Sequence, residues 1–501
     1  MLALYSWPVI SFVLMRRYQL ALGILLTLVL GYMFLPSRVA IDFPLVPPID
    51  KNVVPALALI VMVILMGRRI NPAWRLPGLL PKSNLARGLI LLLIFGPIGT
   101  VFANSDAIVT PLEVKRALRL YDGFAMSAAA AFLILPVLLG RTFFARPETH
   151  RLILIVLCIA ACAYAFLALY EVRMSPRINR MFYGFTSHGW RQHIRGDGFR
   201  PMIFMEHGLR VALFFAMATI AAVGLARMKW RVGQMVFAAF WLFGTLVLCK
   251  SLGALFIALL IIPLVLFLNI RLTILAAAII AMLALTYPVL RGGGLVPVDG
   301  ITNVASNIDA ARAQSFGVRL KNEDQLLDRA QIKPIFGWGG FGRERVRNEK
   351  GIDVTIPDGY WIIIIGQGGW ARYIGEFGLM TLPMLFLFLR RREMNITHDT
   401  AILSILLAAN MIDLIPNSGQ TPLTWLLVGA LWGRLELGKN AIPDPEDPGG
   451  GDPNGPDRTG GTSADRPVYA RDFGVKPPNR DRSQSVRQRS VSQRRRTGQR
   501  I

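Results

Sequence analysis

Long apolar runs separated by short connections dominate the chain. Stretches of about 16–20 residues recur at approximately 18–35, 52–67, 88–103, 122–140, 152–171, 208–226, 231–249, 251–269, 272–290, 374–389, 400–415 and 420–437. Each is long enough, or nearly so, to cross a hydrocarbon core of about 30 Å as a helix. The pattern predicts an all-α, polytopic membrane protein with about twelve transmembrane helices. The first apolar stretch carries no small-residue cleavage site after it and reads as an anchor.

Basic residues then fix an expected orientation. Arg16/Arg17, the Arg68–Arg87 segment, Arg141–Arg151, Arg227–Arg231, Arg271 and Arg390–Arg392 all fall on one side of the twelve runs. The positive-inside rule makes that side cytoplasmic, with the N- and C-termini both inside. One short loop opposes the bias. The segment 172–207 falls outside, yet holds Arg173, Arg177, Arg180, Arg191, Arg195 and Arg200 against Asp197 and Glu206. Either it is a solvated loop that crossed despite its charge, or it is an external site for an anion, where the guanidinium fork suits phosphate oxygens.

The other long external connection, about 291–358, contains a candidate amphipathic helix over 315–332 with Phe316, Leu320, Leu327 and Ile332 as a partial apolar stripe. The following "PIFGWGGFG" (Pro334–Gly342) is apolar and aromatic enough to be ordered and packed at the membrane face. Its glycines lack the strand, helix and Lys-Ser/Thr pair of a nucleotide loop. Next, "DGYWIIIIGQGGWARYIGEFGL" (Asp358–Leu379) is interrupted by Gly366, Gly368 and Gly369, and with the apolar run after it is too long for one straight span. A surface or re-entrant helix leading into a span is expected, with Arg372 and Glu376 pairing at i,i+4.

Composition changes the picture only at the C-terminus. The chain has 501 residues, 53% of them hydrophobic, and a net charge of +24. Much of that charge lies in loops and in the Pro/Gly/Asp-rich, then arginine-rich, segment 438–501, so a nucleic-acid partner is not expected. The division is therefore 1–437, membrane domain, and 438–501, a disordered basic cytoplasmic tail able to touch anionic headgroups. Cys158, Cys162 and Cys249 all lie in apolar runs and read as packing residues.

Signatures of soluble enzymes are lacking: no Walker loop, H-E-x-x-H, G-x-S-x-G or paired C-x-x-C occurs. What remains is topological. An arginine-rich loop, a long loop and the Lys250–Ser251 hairpin share one face, as a binding site for a lipid-borne anionic group would require. The pieces "RGDGFRPMIFMEHGLRVALFFA", "CKSLGALFIALL", "VRLKNEDQLLDRAQIKPIFGWGGFG" and "PDGYWIIIIGQGGWARYIGEFGL", in this order and sidedness, resemble the bacterial O-antigen ligase and O-antigen polymerase superfamily. The resemblance covers about Arg195 to Leu389.

That resemblance implies a GT-C-like membrane glycosyltransferase of the bacterial inner membrane, in lipopolysaccharide or exopolysaccharide biosynthesis. An acceptor hydroxyl would attack C1 of a polyprenyl-diphosphate-linked sugar. Its implied partners are the lipid-linked glycan, an acceptor glycan or lipid, the membrane and other polysaccharide export proteins. It assigns Arg200 (or Arg210, one helical turn into the span) and Arg319 to the diphosphate, where developing charge needs preorganised donors. Asp358 stands near the position of the family's loop histidine and is the candidate base; a helix-capping role is the other reading. Arg195, Arg210, His207, Lys250, Ser251 and Tyr360 are the expected substrate-binding residues. Neither a metal nor a cofactor is expected. Two departures stand out: the large loop has no histidine, and the arginine expected after the span-start serine is Leu252. The rival class is a transporter or flippase of lipid-linked glycans, which would place charges and broken helices at the midplane, in repeated halves. Most runs hold no ionisable residue, Asp413 being an exception, and no internal repeat is visible.

Overall fold

The computed structural model describes residues 1–44, 46–66, 75–195, 198–297, 300 and 310–441. The tail from 442 onward, expected to be disordered, lies outside the described residues. The fold is helical, with three two-residue β-hairpins as its only strands among those residues. Its helices are α1 (Leu2–Arg17), α2 (Leu20–Phe34), α3 (Val54–Met66), α4 (Asn84–Phe102), α5 (Leu120–Phe143), α6 (Pro147–Met174), the short α7 (Ile178–Tyr183), α8 (Gly208–Arg227), α9 (Val232–Leu248), α10 (Leu252–Phe267) and α11 (Ile270–Gly292). They continue with α12 (Ala310–Ile332), α13 (Tyr360–Leu389), α14 (His398–Asp413) and α15 (Pro422–Leu437). Each of the twelve apolar runs coincides with one helix. Six of these, α4, α5, α6, α8, α11 and α13, are long and apolar enough to cross a membrane by length and composition. α2, α3, α9 and α10 are shorter apolar helices.

The bundle is inside-out relative to a soluble protein only on its periphery. α8, α14 and α15 are buried on nearly every side. Outer helices show large side chains to the surroundings: Phe95, Phe124, Phe166, Phe237, Phe240, Phe256 and Phe267 are all exposed. A rim of exposed phenylalanines around a buried core suits a hydrocarbon solvent. Close helix contact at the centre relies on glycine: a Cβ at Gly429 would strike the Val137 carbonyl of α5, so α5 and α15 meet backbone to backbone.

Connections sort into two interlocked sets. In one, Ser37 Oγ donates to Ser187 Oγ at 2.6 Å, Lys51 Nζ donates to the Phe204 carbonyl at 2.9 Å, and Lys333 Nζ donates to Asn104 Oδ1 at 3.0 Å. Arg343 donates to the Arg116 carbonyl at 2.8 Å, and the Tyr360 amide donates to the Leu414 carbonyl at 3.0 Å. In the other set, Arg141 pairs with Glu436, Arg151 with Asp399 at 2.8 Å, and Arg434 reaches the Met394 carbonyl. The first set joins loops expected on one side, 36–51 with 172–207 and 104–121 with the segment after α12; the second joins the connections around Arg141, Arg151 and Met394, expected on the other.

α1 differs from expectation. Reading the chain from residue 18 missed it, because Pro8 and scattered polar residues break up the apolar run. It folds back along α2: Leu14 and Met15 meet Gly23, Trp7 meets Gly31, and Leu4 and Trp7 cluster with Leu35 and Val54. The amino end therefore packs beside loop 35–53, whereas α15 ends at the opposite set of loops. The expected placement of both termini at one face does not follow from this geometry.

The long connection is ordered where it is described. α12 spans Ala310–Ile332 rather than starting at 315. It buries Leu320, Glu323, Leu326, Leu327 and Ala330, while Ile332 is exposed; the apolar stripe is thus rotated from the expected one, and the side chain of Phe316 lies outside the described residues. After it, Trp338 is clamped between Arg329 and Lys333, whose charged ends lie 4.0 and 4.7 Å from its ring centre.

Candidate functional site

A broken helix is the centre of the site. Gly369 in α13 has φ 63°, ψ −165°, a conformation only glycine adopts readily, so the helix is interrupted there. A break inside an apolar bundle leaves backbone groups that water cannot satisfy. The Pro334–Gly339 segment satisfies them. Trp370 and Ala371 donate to the carbonyls of Pro334 and Ile335 at 2.8 and 3.0 Å; Trp338 and Gly339 donate to the carbonyls of Gly366 and Gln367, both at 2.8 Å. Thr100 and Asn104 at the end of α4 hold the same segment through the Phe336 and Gly337 carbonyls at 2.7 and 2.9 Å. The glycine-rich motif is thus a docking strip for the broken helix, and the expected interruption of Asp358–Leu379 is present.

Beyond the break, Arg372 and Glu376 pair at 2.7 Å, as their spacing predicts. Arg372 also donates to Gln367 Oε1 at 2.9 Å, and the Tyr360 hydroxyl donates to the other oxygen of Glu376. Gln367, Arg372 and Glu376 line a cavity of about 380 Å³ whose other wall is largely apolar: Leu92, Leu93, Pro97, Met126, Ala130 and Leu133 from α4 and α5. A second cavity of about 230 Å³ is lined by Arg210, Asp50, Asn52, Pro136 and Trp425. Both include Ala129, Leu133 and Gln420, so they adjoin. The result is a cleft along α5 with an arginine toward each end.

Of the arginines expected at a diphosphate, Arg210 lines this cleft and pairs with Glu206 at 2.7 Å. Gly419 brings the α14–α15 loop between Arg210 and Asp413, and Asn417 of that loop donates to Asp413 at 2.9 Å. Arg200 does not line it. Arg200 is only 7% exposed, its Nη2 donates to the Lys250 carbonyl at 3.1 Å, and its stem lies on Gly208. Lys250 reaches back over Gly198, and Ser251, buried, begins α10. These three form a local knot rather than part of the cleft. Arg195 is the second residue of the strand Ile194–Arg195; its side chain lies outside the described residues.

Arg319 and Asp358, assigned to opposite ends of the reaction, pair with each other at 3.2 Å. Neither lines the cleft. Asp358 precedes the amino end of α13, but no capping bond from its side chain is among the contacts of that end. Tyr360 is buried and faces Glu376, so it belongs to the cleft's support. One turn along α12 from Arg319, Glu323 is 6% exposed and its Oε2 has no hydrogen-bond partner. Burial pushes its carboxyl up to about 7, against the pull of Arg291 and Trp361. Sequence reasoning missed Glu323; its place between Leu320 and Leu327 on an otherwise apolar face was the available signal.

His207 caps α8 by accepting the Leu209 amide at Nδ1 at 3.1 Å. Burial first, then His193, His188, Arg200 and Arg210, push its imidazole down to about 3. The His207 ring is therefore held in its neutral form. No protein-family model matches the chain, and a comparison with curated proteins finds no match.

Proposed function

We propose that the chain is a membrane glycosyltransferase that acts on polyprenyl-diphosphate-linked oligosaccharide at the outer face of the bacterial inner membrane, as an O-antigen or exopolysaccharide polymerase or as an O-antigen ligase. One observation carries this reading: the cleft along α5 joins an apolar wall to two arginines, the pairing of surfaces that a prenyl chain bearing a diphosphate needs. In this reading the helices matching the twelve apolar runs cross the membrane, and the loops around the cleft are periplasmic.

Arg210 and Arg372 take the diphosphate. Their guanidinium groups are held by Glu206 and by Gln367 and Glu376, so little reorganisation accompanies charge development. The acceptor hydroxyl attacks C1; the C1–O bond to phosphate breaks, and its electron pair stays on the phosphate. The hydroxyl proton goes to a carboxylate, for which Glu376 on the cleft wall is better placed than Asp358.

Turnover of a purified lipid-linked donor in nanodiscs tests the reading. Arg210→Ala and Arg372→Ala should each lower turnover by about a hundredfold or more, and the lysine variants nearly as much, because a point charge cannot reproduce the fork. Undiminished turnover in all four variants would sink the assignment. Movement of donor across a bilayer without glycosidic bond formation would identify a transporter instead. Orientation has its own measurement. In a cysteine-free background, Met181→Cys, Lys350→Cys and Leu2→Cys should react with an impermeant thiol reagent from outside, and Glu148→Cys and Glu393→Cys only after the membrane is opened. The reverse pattern would remove the periplasmic site.

A further inference from the structure

Five histidines occur in the chain, and three of them, His188, His193 and His207, converge so that one ligand nitrogen from each lies within 4.8 Å of the others. We propose that these three form a binding site for a divalent transition metal of the zinc class, which fastens the loop 175–207 to the start of α8.

The three rings come from structurally distinct places. His188 follows the turn at Gly184, His193 ends the 3₁₀ turn Trp190–His193, and His207 caps α8. Ring centres are 4.9 Å apart for His188–His207 and His193–His207 and 5.9 Å for His188–His193. Nδ1 of His188 is buried and has no hydrogen-bond partner. An ordinary polar cluster would satisfy that nitrogen; a ligand set leaves it for the ion.

The surrounding backbone is fixed. The Glu171 carboxylate accepts the amides of Ile178, Met202 and Ile203, each at 2.8 Å, and so ties both ends of the loop to α6. The Arg200 amide donates to the His193 carbonyl at 2.8 Å, and the bond between Ser37 and Ser187 holds the residue before His188. Three imidazoles without a carboxylate select zinc, cobalt, nickel or copper over magnesium or calcium. Zinc–nitrogen bonds of about 2.0–2.1 Å in a tetrahedron place the nitrogens about 3.3 Å apart. Closure by up to about 1.5 Å from the present separation is therefore needed, within reach of side-chain rotation. The fourth position is left to water.

Binding has a specific consequence at His207. Its Nδ1 now accepts the Leu209 amide, so the neutral ring carries its proton on Nε2. Coordination through Nε2 moves that proton to Nδ1, and coordination through Nδ1 displaces the amide directly. Either way the Leu209 amide loses its acceptor. Nothing in this inference depends on the glycosyltransferase reading.

The test uses the full chain, purified without a polyhistidine tag, stripped with chelator and titrated with Co²⁺. One ion per chain should bind with visible d–d absorption and no thiolate charge-transfer band. His188→Ala, His193→Ala and His207→Ala should each weaken binding on the order of a hundredfold or more, whereas His398→Ala leaves it unchanged. A measurement on the unaltered chain covers variants that fail to fold: Zn²⁺ should protect His188 and His207, but not His398, from carbethoxylation by diethyl pyrocarbonate. A thiolate band would assign the ion to Cys158 and Cys162 and overturn the site. So would equal carbethoxylation with and without Zn²⁺, or equal loss of Co²⁺ binding in the His398 variant.

Discussion

The loop 175–207 and the long connection 291–359 are both rich in arginine, and they use it in opposite ways. In the first, the Glu171 carboxylate at the end of α6 serves the backbone, and the loop's exposed Arg177 and Arg180 take no carboxylate partner among the described residues. Glu171 holds three amides and Glu206 holds Asn52 and Arg210. Arg173, Arg177 and Arg180 are exposed, and Arg200 is buried on a carbonyl. In the second, carboxylates serve the arginines: Arg291 pairs with Asp324, Arg319 with Asp358, and Arg345 and Arg347 with Asp353. Arginine content alone therefore says little about where an anion binds. The cleft takes its two arginines from helices, one in α8 and one in α13.

Four substitutions sharpen this contrast. The largest effect is expected at Arg343, 1% exposed and donating to the carbonyls of Trp338, Arg116 and Asp106. Arg343→Ala leaves three buried acceptors without a donor and should cost about 3 kcal/mol of stability, read as loss of folded protein in a detergent melt. An unchanged melt would mean the long connection is not held by its arginines.

Glu323→Gln comes next. A carboxyl raised from 4.5 to about 7 by burial keeps its proton in the folded chain where the unfolded chain has lost it. Its contribution is present below pH 4.5 and is lost as pH rises through 7, so wild-type stability should fall across that window by up to about 3 kcal/mol. Glu323→Gln should flatten the fall; the same slope in both proteins would place the titration elsewhere.

Arg319→Ala removes a pair in which both partners are at least one-third exposed. Solvent screening limits that loss to about 0–1 kcal/mol. Smallest of all, Arg177→Ala should change stability by less than about 0.5 kcal/mol and reduce donor capture only at low salt, as a steering charge does. A salt-independent defect would give the exposed arginines of the first loop a direct contact with donor.

Sequence reading succeeded where one residue type fixes local geometry. Apolar runs located the helices; Gly366, Gly368 and Gly369 announced the interruption in α13, and the i,i+4 spacing paired Arg372 with Glu376. It failed where a helix was weakly marked, as in α1 with its Pro8. It also failed where side chains meet through turns. The convergence of His188, His193 and His207 depends on the Gly184 turn and the Ile194–Phe199 hairpin, neither visible as a histidine spacing. Arg200 was chosen for its charge, but nothing in its neighbours signals that it folds back onto the Lys250 carbonyl. The cleft itself is built from α4, α5, α8, α13 and the α14–α15 loop, and only tertiary packing brings those together.

The docking strip under Gly369 also orders events during synthesis. Residues 334–339 leave the ribosome about thirty residues before the break they complete, so acceptors and donors for α13 are already made when that helix is synthesised. The pairing closes a short loop, which costs little chain entropy and forms early. Strip and helix are thus one folding unit, and hydrogen exchange at Trp338, Gly339, Trp370 and Ala371 should report a single opening event. A cut in the strip would release the second half of the helix along with it, although the two are joined there by no covalent bond.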